Sequence, residues 1–165
     1  MSKNTNNFPF ALCDFPARTL LLALCLLTAA LWTCHADTHY VSVSNAAPVA
    51  PYTNWVTAAT NIQAAIDMCA SNDIVLVTNG VYTTGGLLWN GLTNRIVLTN
   101  SVTVRSVNGP ALTIIMGAAD PVSTNGNAAI RCAYIADGCM LAGFTLTNGY
   151  TSTNLIENTK VGGGV

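Results

Sequence analysis

The chain has 165 residues, of which 8% are charged and 51% hydrophobic, with a formal net charge of -1. That balance excludes a disordered chain, which is poor in apolar residues and rich in charge. It also excludes a nucleic-acid module, because no basic stripe is available to neutralise phosphates. The length fits one domain or a piece of a larger one.

The first 36 residues read as an export leader. Residues 20–32 are a run of thirteen uncharged, mostly aliphatic residues, preceded by Lys3 and Arg18 and followed by Cys34-His35-Ala36. A basic start, a short apolar run and a small residue at the cut describe a secretory signal peptide, with cleavage after Ala36. A buried core helix is the other reading of the run. A membrane span needs roughly 20 apolar residues, so none is expected once the leader is gone. The expected destination is outside the cell, either secreted or held at the outer membrane or cell surface.

Cleavage leaves residues 37–165, with Arg95, Arg105, Arg131 and Lys160 against Asp37, Asp67, Asp73, Asp120, Asp137 and Glu157, a net charge of -2. A globular domain usually carries roughly 25% charged residues. Here asparagine and threonine take that place. Residues 37–165 hold fourteen Asn, and eight of them follow a Thr: Asn54, Asn61, Asn79, Asn94, Asn100, Asn125, Asn148 and Asn154. Threonine suits a pleated strand. Asparagine bonds nearby backbone and tolerates the left-handed region. Each Thr-Asn pair therefore reads as a strand running into a corner.

In chain order, a strand is expected from residue 37. An amphipathic helix follows, with Ile62, Ala65, Ile66 and Cys69 on one stripe and Thr60 or Asn61 as its N-cap. Short β-branched runs come next, at residues 74–77, 96–98, 102–104, 112–115 and 144–146. Their length and composition are those of strands. Asn72-x-Ile74-Val75-Leu76 recurs as Asn94-x-Ile96-Val97-Leu98, and Thr124-Asn125-Gly126 recurs as Thr147-Asn148-Gly149. Offsets of 22 and 23 residues between these matches suggest a solenoid of three-stranded coils. An antiparallel sandwich with Asn-rich loops is the alternative. The single helix has a physical task at the start of such a stack, where it covers the open core and the strand edges.

The stretches Asn61-Ile62-Gln63-Ala64-Ala65-Ile66-Asp67, Asp73-Ile74-Val75-Leu76-Val77 and Gly80-Val81-Tyr82 resemble the entry of right-handed parallel β-helix proteins, the pectin-lyase-like superfamily. Residues 101–106 and 109–115 resemble the next coil. Residues 138–149 and the glycines at 162–164 resemble coils of secreted bacterial surface proteins, including autotransporter passengers. The resemblance covers residues 40–165. It implies an all-β, right-handed parallel β-helix with an N-terminal capping helix, about four coils, and an open C-terminal end. The organisation expected is a leader at 1–36, a strand and capping helix at 37–70, and incomplete coils at 71–165. A bare final edge would pair with other chains.

The fold leaves activity open, because it hosts polysaccharide lyases, glycoside hydrolases and non-catalytic adhesins alike. A lyase needs carboxylates around calcium and a cationic base. A hydrolase needs two or three carboxylates on adjacent coils. Neither set is visible, so no catalytic, cofactor or metal residue is assigned. Asp120 and Asp137 read as turn residues. Arg131 is the best-placed cation, without an evident acidic partner. His39 stands alone. A disulfide between Cys132 and Cys139 is open, with small apolar core positions the alternative for all three thiols, Cys69 included. Trp55, Trp89, Tyr52, Tyr82 and Tyr150 either stack on sugars or pack in the core. The chain is read as an exported structural or adhesin-like protein with a polysaccharide or cell-surface glycan as partner. The second reading is the start of a lyase or hydrolase.

Overall fold

The computed structural model describes residues 35–153; the expected leader segment up to Cys34 and the glycine corner at 162–164 lie outside them. The protein is all-β with parallel sheets. Ten strands and one short helix make up the described residues: β1 (Thr38–Val41), α1 (Ile62–Ile66), β2 (Ile74–Val77), β3 (Gly80–Tyr82), β4 (Leu87–Trp89), β5 (Leu92–Leu98), β6 (Thr103–Ser106), β7 (Thr113–Met116), β8 (Ile130–Ile135), β9 (Met140–Ala142) and β10 (Thr145–Thr147).

The strands form three sheets, ordered β1-β2-β6-β9, β10-β7-β3 and β4-β5-β8. From β2 onward the chain visits them in a fixed rotation, with the β4–β5 pair taking one turn together. All pairings are parallel except β4 with β5. Two full rounds run from β2 to β8, with β1 before them and β9 and β10 after.

The pairing distance corrects the 22-residue period. Ile74 pairs with Thr103, 29 positions on, and Thr93 pairs with Ile130, 37 positions on. Gly80 with Thr113 gives 33. The two strands that share the Asn-x-Ile-Val-Leu match, β2 and β5, sit in different sheets. The match records the same local strand chemistry rather than neighbours in a ladder.

Alternation along β1, β2 and β7, with the nearly continuous burial of β5, builds the core. Val41, Val75, Val77, Val104 and Ile115 point inward with Ile96 and Leu98, and all are fully buried. The other face of the first sheet carries Tyr40, Leu76 and Arg105 in register.

The helix starts where expected. Asn61 Oδ1 accepts from the Ala64 amide at 2.9 Å. It ends sooner than its stripe, at Ile66. Met68 and Cys69 then fold back through three-residue turns onto the carbonyls of Ala65 and Ile66, which keeps Cys69 on the core side. Ile62, Ala65 and Ile66 are buried against β1, β2 and β5. The Gln63 side chain accepts from the Val97 amide at 2.7 Å on the flank of β5 away from β8. The segment before the helix covers β1 in the same way: Tyr40 and Ser42 donate to the carbonyls of Tyr52 and Ala59.

The corners follow the Thr-Asn reading in part. Pairs 78–79, 99–100 and 147–148 close β2, β5 and β10. Asn148 takes a left-handed φ of 52°, whereas at the β5 corner Ser101 takes it, at 53°. Asn79 and Asn108 occupy equivalent corners, and the Asn108 amide donates to Asn79 Oδ1 at 2.7 Å. Thr93-Asn94 is different: both residues lie inside β5, and Asn94 is buried.

Candidate functional site

Two places on the described residues combine chemistry-bearing side chains. The first is at the start of the first sheet. His39 lies on the inward face of β1 and is 3% exposed, as is Asp73, which sits just before β2. Cys69, half-buried, comes from the turn after α1. One His39 ring nitrogen, Cys69 Sγ and an Asp73 oxygen lie within 4.8 Å of one another. This corrects the expectation that His39 stands alone. Its partners are 30 and 34 positions away, so no short motif could have shown them.

Each group is oriented by backbone. His39 Nδ1 meets the Pro51 carbonyl at 2.6 Å, and Nε2 faces Asp73 Oδ2 at 3.4 Å. Asp73 Oδ1 accepts from the Asp37 amide at 2.8 Å and Oδ2 from the Ala70 amide at 2.7 Å. Burial pushes the Asp73 carboxyl up, but these two amides and His39 outweigh it and hold the pKa below the ordinary value. Burial, with the nearby charges of Asp73 and Asp67, pushes the Cys69 thiol up to about 12. Nitrogen, sulfur and oxygen donors in one buried cluster are a set that can hold a transition-metal ion.

The second place is a groove of about 460 Å³ on the outer face of the first sheet, lined by Tyr40, Trp55, Leu76, Arg105, Ser106 and Val107. Strand register puts Tyr40, Leu76 and Arg105 in one row across β1, β2 and β6. Trp55 leans on Tyr40 edge-to-face, with ring centroids 4.6 Å apart and 44% of the Trp55 surface open. Arg105 is exposed.

The remaining candidates have structural roles. Asp120 accepts from the amides of Val122, Ser123 and Ala128, which holds the loop between β7 and β8. Asp137 precedes Gly138, whose φ of 78° makes the turn before β9. Arg131 is buried in β8, and burial lowers its pKa. Cys132 and Cys139 are free thiols, and Cys132 lies in the core. Tyr82 is a core residue whose hydroxyl donates to the Thr78 carbonyl. Tyr52 packs on the core, Tyr150 is half-buried, and Trp89 tilts against Tyr134. Arg95 drew no attention in the sequence, yet its buried guanidinium donates to the carbonyls of Met116 and Gly85 at 2.8 and 2.7 Å. It ties β5 to β7 and to the loop before β4.

No protein-family model, no curated protein and no solved structure matches this chain.

Proposed function

We propose that this chain is an exported, non-catalytic, right-handed parallel β-helix that binds an acidic glycan along the outer face of its first sheet. The observation that carries the ligand is the groove of Tyr40, Trp55 and Arg105. Aromatic faces stack on the C–H faces of sugar rings. A guanidinium fork pairs with a uronic carboxylate in two parallel hydrogen bonds. Neither Asp nor Glu lines the groove, which suits binding rather than two-carboxylate hydrolysis.

The β-helix reading is supported by the rotation through three sheets and by parallel neighbours in each. An α1 side chain on the β5 flank fits the capping role. Export is supported by the leader pattern in the sequence.

The test is a calorimetric titration of the protein with uronic-acid polymers and neutral polysaccharides, alongside an assay for released ends. Saturable binding to a uronic-acid polymer is expected. Trp55→Ala and Arg105→Ala should each weaken it about tenfold or more, roughly 1.4 kcal/mol, with unchanged circular dichroism. Absence of binding to every acidic polymer overturns the glycan. Depolymerisation overturns the non-catalytic reading.

A further inference from the structure

We propose that His39, Cys69 and Asp73 form a site for one borderline-soft divalent cation, with zinc the first candidate. The argument begins with a tautomer. The Pro51 carbonyl at 2.6 Å only accepts, so His39 Nδ1 carries a proton. A neutral ring then presents the Nε2 lone pair to Asp73 Oδ2, 3.4 Å away in a buried setting. Either the ring is protonated and Nε2–H donates to Asp73, or a cation bridges the two acceptors.

A proton on Nε2 is the simplest cation and makes a buried His–Asp ion pair; the same spacing also admits a larger one. Charge-assisted N–H···O bonds are about 2.7–2.9 Å long. The edge of a tetrahedron with metal–ligand bonds of about 2.0–2.1 Å is about 3.4 Å. A shared proton also needs only two partners, whereas Cys69 Sγ supplies a third donor within 4.8 Å. That sulfur donates to the Ala65 carbonyl at 3.3 Å. Binding requires the Cys69 sulfur to leave the Ala65 carbonyl and turn toward the other two donors. On binding, the thiol proton leaves to solvent and the thiolate takes its place on the metal.

The surroundings match how metal sites are oriented. A ligating imidazole usually donates its second N–H to a carbonyl or carboxylate, and ligating carboxylates are hydrogen-bonded in turn. Pro51 does the first, and the Asp37 and Ala70 amides do the second. A thiolate and an imidazole select zinc over magnesium or calcium. Three protein ligands leave the fourth position to water. The ion would tie β1, the turn after α1 and the approach to β2, and so brace the end of the first sheet. The site is separate from the glycan groove, so either proposal stands without the other.

The test uses purified, reduced protein stripped of metal with a chelator and titrated with Co²⁺, then Zn²⁺. Expected are one equivalent bound, a thiolate-to-cobalt absorption band, its loss on zinc addition, and a thermal midpoint raised by zinc but not by magnesium. Cys69→Ala should abolish the band while keeping the metal-free midpoint. His39→Gln should lose the tetrahedral cobalt spectrum. Should His39→Gln fail to fold, Cys69→Ala alone decides. No thiolate band in the parent protein, or a band that survives Cys69→Ala, overturns the proposal.

Discussion

Gln63 Oε1 accepts a hydrogen bond from the Val97 amide at 2.7 Å, and both residues are buried. A helix side chain thus completes a strand flank that has no neighbouring strand at that point. The same side chain donates to Asp67 Oδ1 at 2.8 Å, which fixes its rotamer against the helix. A strand amide left without a partner in the core costs the full desolvation of that group.

Replacing Gln63 with Met keeps the shape and removes the acceptor. The expected cost is about 1–3 kcal/mol in urea unfolding, with faster hydrogen exchange at the Val97 amide. A loss below about 0.5 kcal/mol, the range of an ordinary surface change, would show that the amide finds another partner.

Gly117 tolerates no side chain. A methyl group there would run into the Ile130 carbonyl oxygen and lie 2.5 Å from that of Asn148. Both obstacles are backbone, so neither can swing aside. Gly117→Ala should destabilise by about 1–3 kcal/mol or more, measured by chemical denaturation. A neutral result would mean that the loop between β7 and β8 moves to accommodate it.

Asp120 should titrate below its ordinary value of 3.8, because three backbone amides favour its ionised form. Since the folded pKa is depressed, its contribution is present above the unfolded value and fades as pH falls through the folded one. The loop should therefore loosen only in acid below pH 3.8. Carboxyl carbon NMR across that range checks this, and a midpoint above the ordinary value contradicts it.

Cleavage after Ala36 would change one hydrogen bond in kind. The Asp37 nitrogen, which donates to Asp73 Oδ1 at 2.8 Å as an amide, would become an ammonium group. Hydrogen bonds to charged groups are worth about 1.5–3 kcal/mol against about 0.5–1.5 for neutral ones. A chain beginning at Asp37 should be about 1 kcal/mol more stable than the same chain acetylated at its N-terminus, where the amide persists. Equal stabilities by thermal unfolding would place the ammonium in solvent.

The strand runs, the Asn61 cap and many of the corners were legible in the sequence because each depends on residues within a few positions. β-Branched runs favour pleated backbone, and Asn accepts the left-handed φ that a corner needs. The runs did not show β8, whose six residues mix Arg131, Cys132 and Tyr134 and lack the β-branched signature. They placed a corner at Thr93-Asn94, where burial against the neighbouring round draws Asn94 into a strand instead.

Which strands pair was settled by the tertiary structure. Offsets of 29 to 37 residues depend on how much chain each round carries between its strands, as between β3 and β5 and between β7 and β8. The cluster of His39, Cys69 and Asp73 has the same origin. Its members share no spacing rule and meet only because β1 pairs with β2 while α1 folds beside them. Backbone preference acts over a few residues and can be read along the chain. Burial and donor geometry act across space, and they exist only once the sheets have closed around a core.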